Sequence, residues 1–121
     1  MRAITYTRPL PINHPEALIA MELPDPTPKP WDLLVRVEAV SVNPVDVKIR
    51  AGVEPESPRV LGWDAVGTVE AMGDEVSGFS LGDRVWYAGD LNRPGSNAEL
   101  QAVAQTVYST PAFNGISPLN D

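Results

Sequence analysis

The 121-residue chain contains no cysteine and a single histidine, His14. Disulfides are excluded, and so is any metal site built on thiolates. A Ser-His-Asp triad would have to use His14, and nothing in the setting Asn13-His14-Pro15 supports that. An exposed loop histidine is the expectation. Basic residues are scarce, nine against 16 acidic ones, for a formal charge of −7, and no Lys/Arg block stands out. A nucleic-acid face must neutralise phosphates, so nucleic acid is not an expected partner. An anionic membrane surface is excluded by the same argument, and the acidity reads as solubility. No apolar run approaches the roughly 20 residues of a membrane span. Met1 to Leu10 carries Arg2 and Arg8 but lacks the apolar core of a signal peptide. The expectation is a soluble, cytoplasmic protein.

Hydrophobic residues are plentiful at 43%, enough for a real core, and the length suits one domain. Thirteen prolines and nine glycines are spread along the chain. Both punctuate strands and break helices, which points to many short strands in a barrel or sandwich. Arg2–Thr7, Ala17–Leu23, Arg84–Ala88 and Asn97–Val103 read as strands, and Gly62–Gly73 as a glycine-punctuated β region. Pro24, Pro26, Pro28 and Pro30 permit only an extended connection. Asp32–Asn43 is the longest β signal. Val35, Val37 and Ala39 alternate with Arg36 and Glu38, and Val40 and Val42 then suggest burial on both faces. Asn43-Pro44 reads as a helix start, with Asn43 able to cap and Pro44 suited to the first helical position. Gly52 is expected to end that helix in a left-handed conformation.

Three stretches carry a family likeness. The first is Val40-Ser41-Val42-Asn43-Pro44-Val45-Asp46-Val47-Lys48-Ile49-Arg50-Ala51-Gly52. The second runs from Leu61-Gly62-Trp63-Asp64 to Met72-Gly73, followed by Gly82-Asp83-Arg84-Val85. The third is Tyr87-Ala88-Gly89-Asp90-Leu91 with Arg93-Pro94-Gly95-Ser96-Asn97-Ala98-Glu99-Leu100. In order and spacing over residues 1–103 they resemble the N-terminal catalytic domain of medium-chain dehydrogenases/reductases. The resemblance implies a mainly β, GroES-like, partly open β-barrel with one or two short helices. Residues 104–121 do not align with the family pattern and are set apart as an atypical tail.

By this resemblance, zinc alcohol dehydrogenases hold a cysteine ligand at the position of Asn43 and a histidine ligand at that of Trp63. Neither a carboxamide nor an indole replaces those ligands, so no metal is expected. The pattern is similar to the zinc-independent quinone oxidoreductases, often named zinc-type alcohol dehydrogenase-like. That implies NADPH as cofactor and a small quinone, enone or carbonyl as substrate. It also implies that Asn43, Pro44 and Val45 border the nicotinamide and that Trp63, Asp64 and Tyr87 wall the substrate pocket. Hydride transfer asks the protein to align donor and acceptor and exclude water. Asn43 could polarise a carbonyl, and Lys48 or Tyr87 could stabilise charge on oxygen. Each has a competing role: Asn43 as helix cap, Lys48 as a solvated residue, Trp63 and Tyr87 as core, Asp46 and Asp64 as hydrogen-bonded structural carboxylates.

No G-x-G-x-x-G follows a strand, and no Rossmann domain is expected. The 121 residues are therefore expected to be inactive alone and to bind no cofactor tightly. Uncovered apolar surface is expected to make them a homo-oligomer. The alternative is an oligomeric binding or assembly module, since the same barrel serves in co-chaperonins. Glu54 and Glu56 in the short loop Val53–Arg59 speak against the mobile apolar loop such a role needs.

Overall fold

The computed structural model describes residues 1–109. Among these residues lie eight strands and one helix: β1 Arg2–Tyr6, β2 Ile19–Glu22, β3 Asp32–Ser41, α1 Pro44–Gly52, β4 Arg59–Val60, β5 Asp64–Met72, β6 Arg84–Ala88, β7 Leu100–Ala104 and β8 Tyr108–Ser109. They form a three-stranded sheet ordered β2-β1-β4 and a five-stranded sheet ordered β7-β3-β5-β6-β8. Every strand pairing is antiparallel. The mainly β architecture with one short helix is the one the sequence implies.

The larger sheet cannot be flat. Four steps of about 4.8 Å separate its outer strands, roughly 19 Å. Yet β7 ends at Ala104 and β8 begins at Tyr108, and four residue steps reach no more than about 14 Å. The sheet must curl until its edges approach. The buried hydrogen bond from the Tyr87 hydroxyl on β6 to Gln101 Oε1 on β7, at 2.7 Å, spans that gap through the interior. The result is an open barrel, not a closed one. Leu33, Val35, Ala65, Val69, Val85, Tyr87 and Val103 fill it, with Val107 packed alongside. A second cluster of Tyr6, Leu61 and Trp63 seats α1 through Val45 and Ile49.

β3 is the spine, paired with β5 along most of its length and with β7 from Asp32 to Arg36. Two register shifts, between Leu34 and Val35 and between Val37 and Ala39, supply the local twist a curled sheet requires. Gly67 lies opposite Val37, and a Cβ there would overlap the carbonyl oxygen of Arg36, so only glycine permits this approach.

Two expectations are corrected. Val40 and Val42 are not buried on both faces but exposed, at 42% and 72%. The reason is that β7 flanks β3 only as far as Arg36, and beyond it the strand has β5 alone for a neighbour. Gly52 does not adopt a left-handed conformation; it is the last helical residue, and extended Val53 caps α1 by donating its N–H to Ile49 O at 2.9 Å. The two shortest strands, β4 and β8, escape the periodicity argument because two residues show no alternation. β8 lies within the segment set apart as a tail and adds to the edge of β6. The rest of that segment, 110–121, lies outside the described residues.

Candidate functional site

The junction of β3 and α1 is built around Asn43. Its extended backbone (φ −124°, ψ 165°) turns the strand into the helix, and Pro44 takes a first-turn position where no N–H is required. Asp46, one turn along, accepts the Asn43 backbone N–H at Oδ2, 2.8 Å. Its own N–H returns to the Asn43 carbonyl at 3.0 Å. Asp46 is buried, 6% exposed, and its Oδ1 has no hydrogen-bond partner among the described residues.

The Asn43 side chain reaches across to β5. Its Nδ2 donates to Asp64 Oδ2 at 2.8 Å and to the Ser41 carbonyl at 3.4 Å, while Ser41 Oγ donates to Asn43 Oδ1 at 3.4 Å. Asp64 opens β5 and is paired with Ser41 on one side and Ala88 on the other. A strand-borne carboxylate with two strand neighbours is held rigidly, whereas Asn43 sits on a turn.

Asp64 and Ser41 mark the polar end of a surface groove of about 380 Å³. The groove is otherwise apolar, with Val40, Val66 and Trp86 in its lining. Trp86 stacks on Tyr108 at 4.5 Å between ring centroids. Asn43 and Asp64 are therefore brought together, beside Pro44 and Val45. Pro44 is exposed, and Val45 is half-buried against the Tyr6–Leu61–Trp63 cluster.

Tyr87 also lines the groove, while Trp63, Lys48 and His14 are placed elsewhere. Trp63 is 4% exposed, donates its indole N–H to Asp90 O at 2.9 Å, and packs in the helix-seating cluster. Tyr87 is 3% exposed and directs its hydroxyl to Gln101 in the barrel core, and burial raises the pKa of that hydroxyl. Lys48 is exposed on α1 and does not line the groove. His14 lies on an exposed loop and accepts the Glu16 N–H at 3.0 Å.

Sequence reasoning passed over Ser41, whose partners become visible only once β3 is registered against β5. It also passed over Gln101 and the Arg93–Asp32 pair, which join strands and loops far apart in the chain.

The donor set here does not suit zinc. A carboxamide and a buried indole stand at the positions of interest, and among the described residues no group of three His, Cys, Asp or Glu could hold a metal ion. Nor, among the described residues, is any helix long and apolar enough to cross a membrane.

A curled antiparallel barrel with a short helix leading away from a strand-end carboxamide defines a GroES-like domain of the dehydrogenase type. Residues 29–113 match the alcohol dehydrogenase GroES-like domain family, and the chain belongs to it. It is 44% identical over 114 residues to a zinc-type alcohol dehydrogenase-like protein of Staphylococcus aureus, covering 94% of this chain and 34% of that protein. A candidate zinc-dependent alcohol dehydrogenase protein from Rhizobium etli superposes with a TM-score of 0.87 at 46% identity, covering 90% of this chain and 32% of that one. The Escherichia coli quinone oxidoreductase, solved in complex with NADPH, superposes with a TM-score of 0.79 at 28% identity, covering 93% of this chain and 34% of that one. The chain thus spans about a third of the length of these relatives.

Proposed function

We propose that this chain is the substrate-side half of an NADPH-dependent reductase acting on a small quinone, enone or carbonyl compound. The observation that carries the reading is the agreement of fold with a quinone oxidoreductase solved with NADPH, joined to a site whose carboxamide and carboxylate donors do not suit zinc. When bound, NADPH supplies the hydride, and the phosphate-binding elements lie outside these residues. The chain's own task is to shape the acceptor side. Asn43, Pro44 and Val45 border the nicotinamide end, Asp64 holds the Asn43 carboxamide, and the groove of Val40, Val66 and Trp86 excludes water from an apolar substrate. Lys48 and Tyr87 keep the charge-stabilising roles given by resemblance only if the whole protein brings them to the substrate. Exposed Val40, Val42 and Val47 at the β3–α1 junction support self-association of the isolated chain, and a cytoplasmic location suits an NADPH enzyme.

The test is a domain exchange. Residues 1–109 replace the matching domain of the E. coli quinone oxidoreductase, and NADPH oxidation is followed with a quinone. Turnover by the hybrid is expected, with none by the purified 121-residue chain alone. A folded, NADPH-binding hybrid without turnover, or turnover by the chain alone, overturns the reading.

A further inference from the structure

The Asn43 carboxamide has two N–H donors, and both are engaged: one on Asp64 Oδ2 at 2.8 Å, the other on the Ser41 carbonyl at 3.4 Å. The Ser41 hydroxyl hydrogen is directed to Asn43 Oδ1 at 3.4 Å. What the polar end of the groove still offers is the second carboxylate oxygen of Asp64 and the lone pairs of Ser41 Oγ, all of them acceptors. The bond between Asn43 and Asp64 is charge-assisted, the stronger kind, and its acceptor is the rigid partner because it stands on a strand paired on both sides.

We propose that Asp64 is a positioning residue: it holds the amide hydrogens of Asn43 inward, so that the groove accepts hydrogen bonds from its ligand instead of donating them. A carbonyl oxygen is offered no Asn43 N–H here, while a hydroxyl finds the Asp64 carboxylate. The preferred ligand is then an apolar ring or chain bearing a hydroxyl, a phenol or an alcohol. The assignment rests on the substrate-side reading above and narrows it to the reduced, hydroxyl-bearing partner of the reaction.

Nitrogen-15 NMR on the full 121-residue chain tests it without cofactor or turnover, so it can fail while the reductase reading stands, and the reverse. The side-chain amide protons of Asn43 are expected to exchange with water roughly tenfold more slowly than those of exposed Asn92, the protection one charge-assisted hydrogen bond gives. Asp64→Ala removes that protection and Asp64→Glu restores part of it. Equal exchange at Asn43 and Asn92 in the unaltered chain overturns the positioning role. In titrations, 4-methylphenol is expected to shift the amides of Asp64, Val66 and Ala88, and its methyl ether to bind at least about threefold more weakly, the loss of a single hydrogen bond. Equal binding of the two, or no shift from either, overturns the acceptor assignment. Both wild-type arms stand even if Asp64→Ala does not fold.

Discussion

Arg93 grips Asp32 with both guanidinium nitrogens across 61 residues of chain, one contact at 3.1 Å and the other shorter. Asp32 opens β3 and is 3% exposed; it also accepts the Lys29 N–H at 3.0 Å. A planar fork on a buried carboxylate ties the loop after β6 to the start of the spine.

Removing Arg93 should therefore cost more than a surface ion pair. Arg93→Ala leaves a buried carboxylate without its cation, and a loss on the order of 2–3 kcal/mol is expected by urea titration. The hydrogen bond from Arg93 holds the Asp32 pKa below its ordinary value. A lowered folded-state pKa gives stability that is fully present above the unfolded value of about 4 and is lost as pH falls through the lower folded value. The wild type should lose this increment only in acid below about pH 4, and Arg93→Ala should flatten that part of the stability curve. An unchanged acid limb would remove the pair from the account.

Tyr87→Phe deletes one hydroxyl from the core and leaves Gln101 Oε1 buried without its donor. Gln101 still reaches the Pro94 carbonyl through Nε2 at 3.2 Å. A loss of about 1–3 kcal/mol is expected, a melting decrease of roughly 4 °C for each kcal/mol as seen by circular dichroism.

Two glycines make opposite predictions. Gly67→Ala places a methyl on the Arg36 carbonyl and within 2.6 Å of Val35 Cγ1, between two paired strands that cannot part. The variant should lose several kcal/mol, on the order of a severe core defect, and be recovered largely unfolded. Gly78→Ala meets nothing within 4 Å, although φ is +83°. Its cost is the strain of a left-handed alanine, about 1 kcal/mol, and it should fold normally.

Zinc should not stabilise this protein. A ligand that binds only the native state raises the melting temperature by mass action. Equimolar and tenfold Zn²⁺ should leave the transition of the purified chain where it was, and a chelator should do the same. A zinc-dependent rise would show that the folded chain holds a metal after all.

Much of this was legible before any coordinates. Arg36 and Glu38 alternating with Val35 and Val37 mark a one-faced strand, and Asn43-Pro44 marks the helix start. The carboxamide and the indole at the two zinc positions are plain in the sequence once its motif order is seen. What could not be read were relations between distant strands. The pairing of Ser41 with Asp64 depends on register, and register depends on the two shifts in β3. What a linear motif does not show is where polar atoms go: the Tyr87 hydroxyl turns to Gln101 and the Trp63 indole N–H to Asp90. The exposure of Val40 and Val42 follows from where β7 stops, a fact about a neighbour and not about the strand itself.

The three-residue link from β7 to β8 has a mechanical consequence. Among the described residues no ladder of backbone hydrogen bonds joins β7 to β8; a tether, the Tyr87–Gln101 and Gln101–Pro94 bonds and the Arg93–Asp32 pair hold the wall there. Force or heat that loosens the domain should act there first, parting the wall along a seam as a cuff opens at its button, while the β3–β5 ladder stays whole. Amide exchange along β7 and β8 should accordingly outrun exchange in the middle of β5.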